Sequence, residues 1–165
     1  MKTLILIRHA KSSWKHPDLS DFDRPLNHRG KSDAPMMAAR LNDRSIQPEI
    51  ILSSPANRAL TTAQHFANTL GIPDDAIQTV PTLYMQGISA MLSVIQNLAD
   101  DCHTAALFAH NPDITGMANF LSNTYVDNIP TCGIFCMEMK ITTWREVAEH
   151  SGTVLFFDYP KRIAY

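Results

Sequence analysis

The sequence lacks any apolar run long enough to cross a membrane, and it lacks an excess of charge of either sign. A membrane-spanning helix needs about 20 consecutive apolar residues, whereas the apolar run after the N-terminus stops at Arg8. That run is also too short for the core of a signal peptide. Fourteen Lys and Arg against sixteen Asp and Glu give a formal net charge of −2. We therefore expect a cytoplasmic protein that binds neither membranes nor nucleic acid.

Cysteine is scarce, and its positions show no disulfide framework. The chain has Cys102, Cys132 and Cys136, an odd number that predicts reduced, buried thiols. No second Cys or His pair matches Cys132 and Cys136 at the spacing of a zinc site. The sequence therefore predicts no metal ion and no other cofactor.

Repeats, low-complexity tracts and linkers are absent as well. The chain has 165 residues, of which 45% are hydrophobic and 18% are charged, a balance typical of folded globular proteins. Two domains of half this length would each have a small core. We therefore expect a single domain over residues 1–165 and a monomer.

Short apolar runs that predict buried strands alternate with stretches that predict helices. The expected strands are residues 3–7, 49–52, 104–109, 133–139 and 153–157. The expected helices are residues 29–41, 55–70, 89–98 and 112–121, with a further helical piece near 144–149. This alternation predicts the α/β class, as a three-layer sandwich whose mixed, mostly parallel sheet lies between helices.

Helix boundaries are marked by caps and prolines. Ser54 and Asn111 suit N-caps because each precedes a proline that suits the first helical position, and Gly71 suits a C-terminal stop. Pro35 is expected in the first turns of its helix, where a missing N–H does least harm. The long polar stretch 11–30 is expected to be a loop folded over part of the molecule.

Two arginines and two histidines stand directly after predicted strands. Arg8 and His9 follow the first strand, Arg58 lies in the first turn of the helix after the second, and His110 follows the strand at 104–109. The carboxyl ends of parallel strands share one edge of the sheet, where helix N-termini also point. Any one of these residues alone has a plain structural explanation, but together they indicate a phosphate or carboxylate site.

Four segments of the chain, taken together, resemble the signatures of the histidine phosphatase superfamily, which includes the phosphoglycerate mutases. They stand in family order and spacing: Arg8-His9-Ala10-Lys11, Asp21-x-Asp23-Arg24-Pro25-Leu26-Asn27-x-Arg29-Gly30, Ser53-Ser54-Pro55-x-x-Arg58, and Ala109-His110-Asn111-Pro112. The short length and the Arg-His-Ala-Lys start resemble the SixA branch, the phosphohistidine phosphatases. The resemblance implies a phosphoglycerate mutase-like fold.

The resemblance also implies residue roles. His9 would be the nucleophile that forms a phosphohistidine intermediate, and Arg8, Arg58 and His110 would complete the catalytic set. The substrate's phosphoryl oxygens would be bound by Arg8, Arg58 and His110, with Lys11 and Ser12 also in reach. The chemistry agrees, because an imidazole with a pKa near ~6.5 is neutral and nucleophilic around pH 7. Cations around the phosphoryl group leave no need for a metal.

The sequence lacks a carboxylic acid at either position where relatives in the superfamily carry a general acid. The stretch 83–87 has no carboxylate, and the residue after His110 is Asn111. Asp21, Asp23 and Asp113 are conceivable substitutes. We expect Asp113 to be a charge in the first turn of a helix, and Asp21 and Asp23 to be solvated or paired with cations.

These features favour a phosphohistidine phosphatase whose partner is a phosphohistidine-bearing protein or a small phosphorylated substrate. Two alternatives stay open at this point. The chain could be a small-molecule phosphatase with weak general-acid assistance, or a phosphate-binding module without turnover.

Overall fold

The structure, a computed structural model that describes residues 1–163, consists of one six-stranded sheet with helices on both faces. The strands are β1 (Lys2–Arg8), β2 (Ile50–Ser53), β3 (Ile77–Thr79), β4 (Thr104–Ala109), β5 (Ile134–Met139) and β6 (Gly152–Asp158). The helices are α1 (His28–Asp43), α2 (Asn57–Leu70), α3 (Ile88–Gln96) and α4 (Asp113–Leu121). The predicted three-layer α/β sandwich is confirmed.

The strand order, which could not be read from the sequence, is β3-β2-β4-β1-β5-β6. Strands β3, β2, β4 and β1 pair in parallel, whereas β5 runs antiparallel to both β1 and β6. The sheet is therefore mixed and mostly parallel, as predicted. Its three central parallel strands are β2, β4 and β1.

Strand β1 is apolar on both sides because it is covered on both sides. Leu4 and Leu6 belong to the core that the sheet shares with α3 and α4. Ile5 and Ile7 point to the opposite face and belong to the core shared with α1 and α2. All four are fully buried, which explains the continuous apolar run in the sequence.

The three central strands end level with one another. Arg8 at the end of β1 is in register with Ala109 at the end of β4, and Ser53 at the end of β2 is in register with Phe108. The ladder continues for one more step, since the N–H of His9 donates to the Ala109 carbonyl at 3.1 Å. The residues directly after these strands therefore meet at one edge of the sheet.

Helix α2 begins later than its Ser-Pro signal predicts. Its first residue is Asn57, and Ser54 Oγ instead accepts the N–H of Ala56 at 3.2 Å in a turn before the helix. The C-terminal prediction is correct, because Gly71 ends the helix with the left-handed φ of 72° that glycine adopts without strain.

Two other local predictions need correction, and one strand was missed. Pro35 lies well inside α1 and not in its first turns. The piece near 144–149 is only a single 3₁₀ turn, Trp144–Glu146. Strand β3 was not predicted, because two of its three residues are exposed and it carries no apolar run.

Three expectations concern cysteines, membrane-spanning helices and metal sites, and they can be compared with the part of the chain that the structure describes. The three cysteines are buried and unbonded. Among the described helices, none combines the length and apolarity needed to cross a bilayer. Over the same residues, no three His, Cys, Asp or Glu side chains cluster in a way that could hold a metal ion.

Gly30 allows α1 to pack directly against the segment that comes after β1. A methyl group at Gly30 would overlap the carbonyl oxygen of Lys11. That carbonyl accepts the N–H of Asn27 at 2.9 Å, so it is held in place next to the start of the helix. Glycine is therefore required here for close approach of two backbones.

Gly30→Ala is expected to lower the free energy of unfolding by about 1–3 kcal/mol, because backbone must move to relieve the overlap. Urea denaturation would measure the loss. Gly116→Ala in α4 is the matched control, since its methyl group would meet only the flexible Ile88 side chain, at 3.1 Å. An equal loss in both variants would show that the approach at Gly30 is unimportant.

Candidate active site

A pocket of about 400 Å³ lies at the carboxyl ends of β1, β2 and β4. All six residues singled out from the sequence line it: Arg8, His9, Lys11, Ser12, Arg58 and His110. Its other lining residues are Trp14, Asp21, Arg24, Met85, Asn111 and Thr131. The structure thus brings the candidate residues together, while their roles stay predictions.

His9 is buried, with 7% of its surface exposed, and its tautomer is set by its partner. Its Nδ1 lies 2.7 Å from the Ala10 carbonyl oxygen, which can only accept, so Nδ1 carries the proton. Nε2 therefore holds a lone pair. Burial, together with His110, Arg58 and Arg8, lowers the pKa of His9 to about 3 despite the bond to Ala10. The imidazole is neutral at pH 7.

The backbone around His9 is fixed by bonds to α2 and to the segment before β5. Thr62 in α2 accepts the N–H of Ala10 at 3.0 Å and donates its own hydroxyl proton to the Arg58 carbonyl. The N–H of Cys132 donates to the His9 carbonyl at 3.0 Å. These bonds hold the imidazole in one orientation at the base of the pocket.

Arg58, in the first turn of α2, links His9 to the polar loop. Its Nε donates to His9 Nε2 at 3.4 Å. Its Nη1 donates to the Asp21 carbonyl at 2.6 Å, and its Nη2 donates to Asp21 Oδ2 at 2.9 Å. A cation at a helix N-terminus is unfavourable on its own, and the Asp21 carboxylate compensates it.

His110 stands beside His9, with ring centroids 5.2 Å apart. Its Nε2 lies 2.8 Å from Ser54 Oγ. The serine that was expected to cap a helix therefore forms a hydrogen bond with this histidine as well. Burial, with Arg58 and Arg8, lowers the pKa of His110 to about 4, against the raising effect of Asp21. Both imidazoles are therefore neutral near pH 7.

Two buried nitrogens in the pocket have no hydrogen-bond partner among the described residues. They are Arg8 Nε and His110 Nδ1. Arg8 uses Nη1 to donate to the Ile129 carbonyl at 3.0 Å. Burial, followed by the charge of Arg58, lowers the pKa of Arg8. Because buried polar groups are normally paired, these two nitrogens leave donor or acceptor capacity unused in residues that line the pocket.

Asp21 is the one carboxylate among the pocket's lining residues. Its Oδ1 accepts from Arg24 Nη1 at 3.0 Å, and its Oδ2 accepts from Tyr84 Oη at 2.6 Å as well as from Arg58. The Tyr84 hydrogen bond, with those from Arg58 and Arg24, lowers the pKa of Asp21 to about 2. Asp21 is ionised and has no proton to give.

The other two conceivable acids lie outside this pocket's lining. Asp113, the first residue of α4, accepts the N–H of Gly87 at 2.9 Å, and Asp23 accepts the Ser20 hydroxyl at 2.9 Å. The pocket lining thus supplies no carboxylic acid, in agreement with the sequence. Tyr84 keeps its proton, since its hydrogen bond to Asp21 raises its pKa.

Sequence reasoning missed Arg24 and Tyr84 as parts of this site. Arg24 donates through Nη2 to Ser12 Oγ, and its guanidinium stacks on the Trp14 ring at 3.3 Å. The sequence offered a clue to Arg24, because this residue stands in the Arg24-Pro25-Leu26 motif. In the structure, Leu26 of that motif pairs with Ser12 in an isolated antiparallel β-bridge. Tyr84 carries no such signal, because nothing in the stretch 83–87 marks a single tyrosine as a partner of a distant carboxylate.

Comparison with known proteins identifies relatives in sequence. The model of the histidine phosphatase superfamily (branch 1) matches residues 4–83. An uncharacterized chloroplastic protein of Arabidopsis thaliana is 31% identical over 159 residues, which cover 92% of this chain and 72% of the plant protein.

Solved structures agree over nearly the whole length. A protein of Agrobacterium tumefaciens, provisionally described as the phosphohistidine phosphatase SixA, is 26% identical with a TM-score of 0.80. The match covers 96% of this chain and 98% of that protein. The protein histidine phosphatase SixA in complex with tungstate has the same TM-score at 20% identity, with coverage of 94% and 95%.

The chain belongs to the histidine phosphatase superfamily and is a phosphatase. Membership favours an enzyme over the phosphate-binding module without turnover. The pocket supplies what phosphoryl transfer requires, namely fixed cations around one nucleophilic nitrogen.

Arg58→Ala is expected to lower kcat/KM by roughly 30–1000-fold, because a charge-assisted contact to the transferring group contributes about 2–4 kcal/mol. Inhibition by vanadate should weaken in parallel. Arg29→Ala is the matched control, since Arg29 is exposed on α1 and lies outside the lining of the pocket. Unchanged rate and unchanged vanadate inhibition in Arg58→Ala would place the anion site elsewhere.

Proposed function

We propose that this phosphatase acts on phosphohistidine side chains of another protein through a covalent phosphohistidine on His9. The observation that carries the proposal is a buried, neutral His9 with Nε2 unprotonated, surrounded by cations in a pocket whose only carboxylate is ionised. Such a site can attack phosphorus and hold the phosphoryl group, but it cannot protonate a poor leaving group.

In the first step, His9 Nε2 attacks phosphorus and a new P–N bond forms. The P–N bond to the substrate's histidine breaks, and its electron pair stays on the departing ring nitrogen. Arg58 Nε, which points at Nε2 in the resting site, turns its N–H toward a phosphoryl oxygen as the lone pair is used. In the second step, water displaces phosphate and restores His9.

The phosphoryl oxygens are bound by the groups around His9. Arg8 Nε and His110 Nδ1 are the buried nitrogens without partners, and both gain one when an oxyanion enters. Lys11 and Ser12, on the same pocket wall, supply further donors. Four cationic side chains against one carboxylate leave the pocket suited to a dianionic group.

The departing group decides the substrate class. Negative charge builds on the leaving atom in a loose transition state, and an alkoxide normally requires a proton from an enzyme acid. Asp21 holds no proton to deliver. The imidazole of phosphohistidine avoids the difficulty, because with a free pKa near ~6.5 it takes up a proton from solvent.

Acid quenching of a reaction with labelled phosphohistidine substrate is expected to trap a phosphoenzyme that is labile in acid and stable in alkali. His9→Ala should lose the label and keep the fold, as judged by its denaturation curve. His103→Ala is a control at the opposite end of β4, where the side chain is exposed. Wild-type turnover in His9→Ala would remove His9 from its role.

Across substrates, we expect clear activity on phosphoramidates and phosphohistidine peptides, weaker activity on aryl phosphates, and very little on alkyl or sugar phosphates. In an aryl series, the single-turnover rate should fall steeply as the leaving-group pKa rises, since no acid assists. Replacing Asp21, Asp23 or Asp113 by Asn should leave that slope unchanged. A flat series, or rapid cleavage of sugar phosphates, would favour a small-molecule phosphatase with its own acid.

A further inference from the structure

Asp21 lies at the outer side of the pocket, beyond Arg58 as seen from the nucleophile. Its side chain is 50% exposed, whereas that of Arg58 is 5% exposed. Its oxygens accept three side-chain hydrogen bonds, from Arg24, Arg58 and Tyr84. A carboxylate offers about four acceptor positions, so about one is left unused on this half-exposed side chain.

A phosphohistidine ring has a second nitrogen that needs an acceptor. The attacking and leaving atoms lie roughly in line, so a ring leaving from phosphorus lies on the side away from His9 Nε2, toward the mouth. Its second nitrogen carries a proton when the ring is cationic. The P–N electron pair then neutralises that ring, which departs as neutral imidazole without any proton reaching the bridging nitrogen.

We propose that the Asp21 carboxylate is a specificity-determining group that accepts a hydrogen bond from the second ring nitrogen of phosphohistidine and holds the leaving ring as imidazolium. The inference rests on the proposed function and names how the same site recognises its substrate class. It gives the ionised carboxylate a role in addition to its ion pair with Arg58. Asp21 acts as an acceptor and never as an acid.

The charges that face Asp21 are compatible with this role. Arg24 and Arg58 lie against it, Tyr84 donates to it, and Lys11 shares the pocket. His110 also faces the site and is neutral. When the phosphoryl dianion enters, it pairs with Arg58 in place of Asp21. The Asp21 carboxylate then balances the positive charge of the substrate's ring. Its low pKa keeps Asp21 ionised wherever that ring titrates.

A purely structural role for Asp21 leads to a different expectation. If Asp21 only held Arg58 in place, its loss would slow every substrate to the same extent. Under the proposal, the loss of Asp21 slows substrates with a ring N–H more than substrates without one. Comparing a phosphohistidine peptide with 4-nitrophenyl phosphate separates the two roles, because the aryl group has no N–H to donate.

The experiment measures single-turnover phosphoryl transfer at saturating substrate in wild type, Asp21→Asn and Asp23→Asn. We expect Asp21→Asn to slow transfer from the phosphohistidine peptide by about 10–100-fold near pH 7.5, as for a hydrogen bond to a charged group. The rate with 4-nitrophenyl phosphate should fall by a factor about 10 times smaller, since this substrate loses only the support that Asp21 gives to Arg58. Asp23→Asn, the same change on the same loop, should behave as wild type with both substrates.

The pH profile gives a second, independent readout. The rate with phosphohistidine falls on the alkaline side as the bound ring loses its proton, and in Asp21→Asn this fall should begin about one pH unit lower. The 4-nitrophenyl phosphate profile should not move on that side.

The outcomes distinguish the two proposals. Equal slowing of both substrates in Asp21→Asn, or an unmoved alkaline limb, overturns the role of Asp21 while phosphohistidine turnover by wild type still supports the proposed function. Absence of phosphohistidine turnover in wild type, with 4-nitrophenyl phosphate still cleaved, overturns the proposed function itself. Denaturation curves for each variant test whether the fold is retained.

Discussion

Positive charge gathered at one edge of the sheet is the constraint on which the rest of the site depends. Strands β1, β2 and β4 end level, so the cations Arg8 and Arg58 line one pocket together with His9 and His110. Like charges so placed repel, and burial adds a desolvation cost. The molecule offsets both with the Asp21 carboxylate and with carbonyls at Ile129 and Asp21. The histidines respond by staying neutral.

That neutrality links the electrostatics to the proposed chemistry. Burial lowers the pKa of His9 most, and the cations that are proposed to bind a phosphoryl group lower it further, so these charges would serve both binding and nucleophilicity. In the proposed reaction, a P–N bond is broken and another P–N bond is made, between chemically similar imidazoles. The free-energy change of the first transfer is therefore expected to be small. Hydrolysis of the enzyme's own phosphohistidine then drives the overall reaction forward.

The fold was predictable where local pattern and tertiary structure agree. Apolar runs of three or more residues predicted five strands, because strands that lie inside a sheet covered by helices are largely apolar. Strand β3 was not predicted, because residues 77–79 are held in the sheet by pairing with β2 and not by burial. The convergence of His9 and His110 was predictable from chain position alone, since a parallel sheet brings together the residues at the carboxyl ends of its strands.

The contacts of Asp21 could not be predicted in the same way. Its bonds to Arg58 and Tyr84 cross 37 and 63 residues of chain, and they depend on how a loop whose regular structure is limited to the 3₁₀ turn Asp21–Asp23 folds back over the pocket. No periodicity encodes such a fold. Nothing in the chain favoured Asp21 over Asp23 as the partner of the arginines, because both stand in the same motif.

The stacking of Trp14 on Arg24 has an optical consequence. The chain has two tryptophans, and they stand at opposite ends of the sheet. Trp144 is fully buried beside Lys2 at the start of β1, with its indole N–H bonded to the Cys102 carbonyl, so its surroundings stay constant. Trp14 is 75% exposed and touches a guanidinium that contacts Ser12 and Asp21. We therefore expect its fluorescence to change, without any added label, when the pocket is filled.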